Sequence, residues 1–174
     1  EEPGVTLTVL TAIDVRTQMA MAVALPSKQV TPYAITELKR FIYETGRTQA
    51  TLQCDQEATI KNLLRTVAND IGGLTVRQTP TASSQSNGSV ERYHQTLFGQ
   101  IRTLRTALLD RLQLTSADMP ATHAMFPWLV KHAAWLINRY LIHDDGLTSF
   151  QRRFRQESNL AVAEFGETVL FRKY

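Results

Sequence analysis

Three observations on this chain of 174 residues predict an α/β layer structure, a mixed sheet covered by helices. Two runs near the start alternate with period two, amphipathic helical stretches and short β-compatible runs then take turns, and two long helical stretches close the order.

Val5 to Ile13 alternates apolar residues with Thr, and Met19 to Leu25 alternates large with small side chains. Both read as strands, and the short polar joint Asp14 to Gln18 makes them an antiparallel hairpin. Pro26 and Ser27 stop it. Thr31-Pro32 opens a helix, with Thr as cap and Pro in the first turn, and Ile35, Leu38, Phe41 and Ile42 recur at helical spacing until Gly46. Thr48 to Cys54 is a third β-compatible run. It ends at Asp55, and Glu57 to Ile71 is amphipathic through Ile60, Leu63, Leu64 and Val67, closed by Gly72-Gly73.

Leu74 to Gln78 reads as a short strand, and Thr79 to Ser89 as a loop whose length marks it as a candidate functional loop. From Val90 the pattern is helical for more than twenty residues, with Val90, Leu97, Ile101, Leu104, Leu108 and Leu112 as the apolar stripe. The stretch from about His123 to Ile142 is apolar nearly all round, which predicts a helix that is sandwiched or part of a subunit interface. Thr148 to Arg155 is basic, and Glu164 to Tyr174 reads as a last strand.

Composition narrows the class. With 43% hydrophobic and 20% charged residues the chain is globular, long enough for one core, and without an apolar run that reaches the roughly 18 residues of a membrane span. The start Glu1-Glu2-Pro3-Gly4 has neither an initiator Met nor signal-peptide character, and reads as a cut out of a longer chain. Cys54 has no partner for a disulfide, and the histidines at 94, 123, 132 and 143 lack paired Cys spacing, which excludes a structural zinc module. A net charge of +3, mostly from Arg, with a pI near 9.2, is a mild pointer to a polyanionic partner.

Two acids stand where chemistry collects. Asp55 closes a strand, where open α/β sheets present ligand groups, and Glu91 lies in the first turn of the long helix, directly after the polar loop. Two carboxylates brought together repel unless a cation lies between them, and hard divalent ions take carboxylate oxygens. The plainer reading of each is a turn Asp and a Glu that complements the helix dipole. Cys54 reads as a buried strand residue, His94 as a helix-surface residue, and Trp128 and Trp135 as core.

The segment Thr79-Pro80 through Ser86-Asn87-Gly88-Ser89-Val90-Glu91-Arg92 resembles the loop-to-helix signature of the retroviral and retrotransposon integrase catalytic core. Asp55 and Glu91, with 35 residues between them, match the last two members of that family's Asp, Asp, Glu triad, and the element order fits from Val5 to about Phe154. The resemblance implies a ribonuclease-H-like fold, with Asp55 and Glu91 as catalytic metal ligands for two Mg²⁺ or Mn²⁺ ions. It also implies DNA 3′-end processing and strand transfer, with element ends and target DNA as partners. Asn87, Arg92, Gln95, Arg102 and Arg105 are then the candidates for contact with DNA. A homo-oligomer, at least a dimer, with no membrane association and nuclear action on host DNA, follows from the same resemblance.

Two departures qualify the match. The family often has Asn-Gly after the second Asp, where this chain has Gln56-Glu57. Asp14 lies at a hairpin end rather than mid-strand, which makes it a turn residue and puts the first triad Asp, with its strand, upstream of Glu1. The expected division is therefore a core over 1–155, lacking its first strand, and an extension over 156–174 that begins a small β module. The alternative is a non-catalytic, domesticated or decayed integrase-like domain that binds DNA or a protein partner, and a nuclease that hydrolyses without joining shares the same carboxylates.

Overall fold

The computed structural model describes residues 7–78 and 88–169. Strands β1 (Thr8–Ile13) and β2 (Ala20–Leu25) pair antiparallel, Thr8 opposite Leu25 and Ile13 opposite Ala20. Helix α1 (Pro32–Thr45) follows, then β3 (Ala50–Cys54), α2 (Ala58–Ile71) and β4 (Leu74–Gln78), which pairs parallel with β3. The long helix α3 (Gly88–Leu112) leads through a single 3-10 turn at Ser116–Asp118 to α4 (Phe126–Tyr140) and the short α5 (Ser149–Phe154).

The local signals act as their chemistry dictates. Thr31 Oγ1 accepts the Ala34 N–H at 3.2 Å at the start of α1, and Gly46 ends that helix in the left-handed region at φ 68°. In β2 the large residues Met21, Val23 and Leu25 face α1 and α2, while the small Ala20 and Ala22 face α3 and α4. The hairpin is thus the middle layer between two apolar clusters, one through Leu38, Phe41, Leu63 and Val67, the other through Leu97, Ile101, Leu129 and Ala133.

The expected mixed sheet is present as two two-stranded ladders among the described residues. No backbone ladder joins β1 to β3, although both pack on the same cluster with α1 and α2. Two ion pairs define their directions. Arg47, just before β3, meets Asp14, just after β1, at 2.7 Å, and Glu57, just after β3, meets Lys28, just after β2, at 3.6 Å. The end of β1 therefore lies beside the start of β3, and the two strands run in opposite directions.

Other expectations are corrected by packing. The buried stripe of α3 is Tyr93, Leu97, Ile101, Leu108 and Leu109, whereas Leu104 is half-buried and Leu112 is exposed because it lies in the last turn, past the α4 contact. Trp128, expected in the core, is 69% exposed, since the buried face of α4 is Leu129, Val130, Ala133, Ala134 and Ile137. Residues 164–169, expected to open a last strand, form a turn and irregular chain, and Phe165 packs instead on the α3 and α4 cluster.

Asn138 completes the outer edge of β2. Its Oδ1 accepts the Ala20 N–H at 2.9 Å and its Nδ2 donates to the Ala20 carbonyl at 2.7 Å, so a side-chain amide stands in for a neighbouring strand. Both groups are buried, and losing them leaves a peptide unit unsatisfied. Asn138→Ala should lower stability by about 1–3 kcal/mol in urea unfolding. A change under about 0.3 kcal/mol would show that the contact contributes nothing.

Candidate functional site

Asp55 stands exposed directly after buried Cys54, so β3 delivers the carboxylate to the surface. One of its oxygens accepts the Glu57 N–H at 3.3 Å in a turn that leads into α2. Burial, then the Asp55 charge, pushes the pKa of the neighbouring Cys54 thiol up, with Lys61 as the lesser opposing influence, which disfavours the thiolate.

Helix α3 has two faces. Tyr93, Leu97 and Ile101 are buried, while Glu91, Gln95, Phe98 and Arg102, at spacings of four, three and four, make an exposed stripe down the other side. His94 docks this part of the helix on the sheet, its Nε2 lying 2.6 Å from Thr11 Oγ1 in β1. Arg92 points away from the stripe into a cavity at the β1–β2 turn, shared with Arg16. Arg105 is engaged elsewhere: its guanidinium donates to the carbonyls of Ser116 and Met119 at 2.7–3.1 Å and fixes the chain after α3. Asn87 lies outside the described residues.

β3 and α3 each present one of the two carboxylates at the surface, Asp55 and Glu91. Asp55 is at the end of β3, whereas Arg92, the residue after Glu91, reaches the turn beside the start of β3. Among the described residues no group of three or more His, Cys, Asp or Glu can hold a metal ion. The two carboxylates are hard oxygen donors of the right kind for Mg²⁺ or Mn²⁺, but the described residues do not by themselves form the complete cage.

Comparison with known proteins follows from this geometry. The chain matches the crystal structure of the catalytic core domain of BIV integrase at a TM-score of 0.54 and 15% identity, over 86% of each chain. The fold is that of an integrase catalytic core. It is ribonuclease-H-like, and at this identity the likeness fixes the fold alone. No protein-family profile and no curated protein matches the sequence.

Within the integrase-core fold, Asp14 is a structural acid, as its hairpin position predicts. Its Oδ2 accepts from the Thr17 hydroxyl at 2.5 Å and from Arg47 at 2.7 Å. Sequence reading gave no sign of the Arg47 partner, 33 residues on, or of the arginines that gather beside this turn. Burial alone would raise the Asp14 pKa, but the bonds from Arg47 and Thr17, with the Arg47 charge, together hold it below the ordinary value.

A lowered native pKa gives stability that is present above the unfolded value and lost as pH falls through the folded one. Asp14→Asn should therefore cost about 1–3 kcal/mol at neutral pH. That difference should shrink once the pH drops below 3.8, the ordinary carboxyl value. Thermal melts of both proteins from pH 7 to pH 3 would check this, and a gap that stays constant would refute the role of the charge.

Proposed function

We propose that the chain is the catalytic core of a retroelement integrase, a metal-dependent polynucleotidyl transferase that trims DNA 3′ ends and joins them to target DNA. The observation that carries this reading is the pairing of an integrase-core fold with Asp55 at the exit of β3 and Glu91 in the first turn of α3. A Glu at the head of an exposed stripe that also carries Gln95 and Arg102 has the character of a site that meets a polyanion. Asp55 and Glu91 would hold divalent ions, which supply Lewis-acid charge at the scissile phosphate.

The third carboxylate belongs to an additional strand in the opening between β1 and β3. The register supports this. Asp14 N–H bonds the Met19 carbonyl, so by antiparallel alternation the peptide groups of Val9, Thr11 and Ile13 point to the open edge of β1. They have no backbone partner among the described residues. Self-association through α4, with Trp128 exposed on it, and action on host DNA in the nucleus complete the reading.

In a chain that carries the additional strand, Glu91→Gln and Asp55→Asn should each lower Mn²⁺-dependent joining of labelled duplex ends at least about a hundredfold while the protein stays folded. Undiminished joining by either folded variant would remove that residue from the site. An extended protein that binds DNA but neither nicks nor joins it would establish a non-catalytic binder instead. Hydrogen exchange offers a second check: the amides of Val9, Thr11 and Ile13 should exchange at least about a hundredfold more slowly in the extended chain than in residues 1–174. Equal rates would leave the opening unfilled and refute the added strand.

A further inference from the structure

A cavity of about 860 Å³ opens at the β1–β2 turn, away from Asp55. Four arginines line it: Arg16 from the turn, Arg92 from the start of α3, and Arg152 and Arg155 from α5 and its cap. Against them stand Asp144 and Asp145. Arg152 holds Asp145 through two bonds, Nε at 2.9 Å and an Nη at 2.8 Å, so this pair is internally matched. Arg16, Arg92 and Arg155 remain against Asp144, so the lining keeps an excess of positive charge, and none of the three makes an ion pair among the described residues.

A solvated charged face on one helix produces basic residues at helical spacing. These three come from distant parts of the chain, and only the tertiary fold brings them to one cavity. Like charges so gathered repel unless an anion neutralises them. The frame that holds them is rigid. Ser149 Oγ donates to the Gln18 carbonyl at 2.9 Å and accepts from His143 Nε2 at 2.9 Å, since a hydroxyl has one proton to give. Asp14 ties down the other side of the turn through Thr17, and the Thr148–Gln151 capping box fixes the start of α5. Arginines on a fixed frame lose less freedom when they bind, and the guanidinium fork matches phosphate oxygens.

We propose that this cavity is a binding site for the phosphodiester backbone of DNA, with Arg16, Arg92 and Arg155 on the phosphates. The inference rests on the reading of DNA as the partner, but it assigns a contact surface distinct from the carboxylates and from the α3 stripe. An open cavity of this volume exceeds what one phosphate fills, which favours a backbone over a free anion.

The test is fluorescence anisotropy of a labelled duplex titrated with the full 174-residue chain from 50 to 200 mM NaCl. The variants are Arg16→Gln, Arg155→Asn, the double variant, and Lys at each position as charge-preserving controls. Asn suits position 155 because its φ is 60°. Each neutral variant should weaken binding several-fold and reduce the slope of log affinity against log salt by about 0.9, and the Lys variants should keep the slope. A folded double variant with the wild-type slope overturns the cavity site and leaves the integrase reading standing. Displacement of the duplex from wild-type protein by equimolar inorganic phosphate overturns it in favour of a small-anion pocket, and a wild-type chain with no DNA affinity also overturns it. A reduced slope in the variants, beside an extended protein that joins no DNA, keeps the cavity site and removes the catalytic reading.

Discussion

A two-stranded ladder is marginal in water, and the described residues contain two. Everything else depends on how they are held. The β1–β2 hairpin is buried on both faces, by α1 and α2 on one side and by α3 and α4 on the other. The β3–β4 pair is covered through α2, which links the ladders by packing rather than by hydrogen bonds. Glu37 adds a polar tie across these layers. It is buried in α1, yet receives Lys131 of α4 at 3.0 Å and Arg40 at 2.7 Å, which offsets the cost of burying its charge.

What was legible in the sequence is what local chemistry decides. Alternation located both strands of the hairpin, Thr31-Pro32 and Gly46 bounded α1, and Gly72-Gly73 ended α2, because period and cap are written within a few residues of each other. Asp55 at a strand exit and Glu91 in a first helical turn were legible for the same reason. What tertiary packing decides was hidden. Trp128 shares a heptad spacing with Trp135, but it falls on the side of α4 opposite Leu129 and Ala133 and so meets solvent. Arg105 resembles its neighbours on α3, yet the chain turns back after Leu112 and presents two carbonyls to it.

The same division explains the two surfaces that α3 takes part in. Positions 91, 95, 98 and 102 share a face by periodicity, so the stripe could be drawn from the sequence. Arg92 is one residue off that face, and its convergence with Arg16 and Arg155 depends on Ser149 and His143 docking α5 on the turn. The acid that this turn contains, Asp14, holds the frame through the Thr17 and Arg47 bonds to its Oδ2.

The Asp14–Arg47 pair also bears on the opening proposed between β1 and β3. Neighbouring strands lie about 4.8 Å apart, so a gap one strand wide separates β1 and β3 by about twice that. An extended Arg side chain with an Asp opposite can bridge such a distance at the edge of the gap, which allows both ladders to keep their places when the gap is filled. Because β1 and β3 run in opposite directions, a strand antiparallel to β1 is at once parallel to β3, and it meets the ladder geometry of both neighbours. Its middle would lie between Asp55, at the end of β3, and the crossing of α3 over Thr11, one turn from Glu91. On the proposed reading, a third acid on that strand would complete the carboxylate set with Asp55 and Glu91.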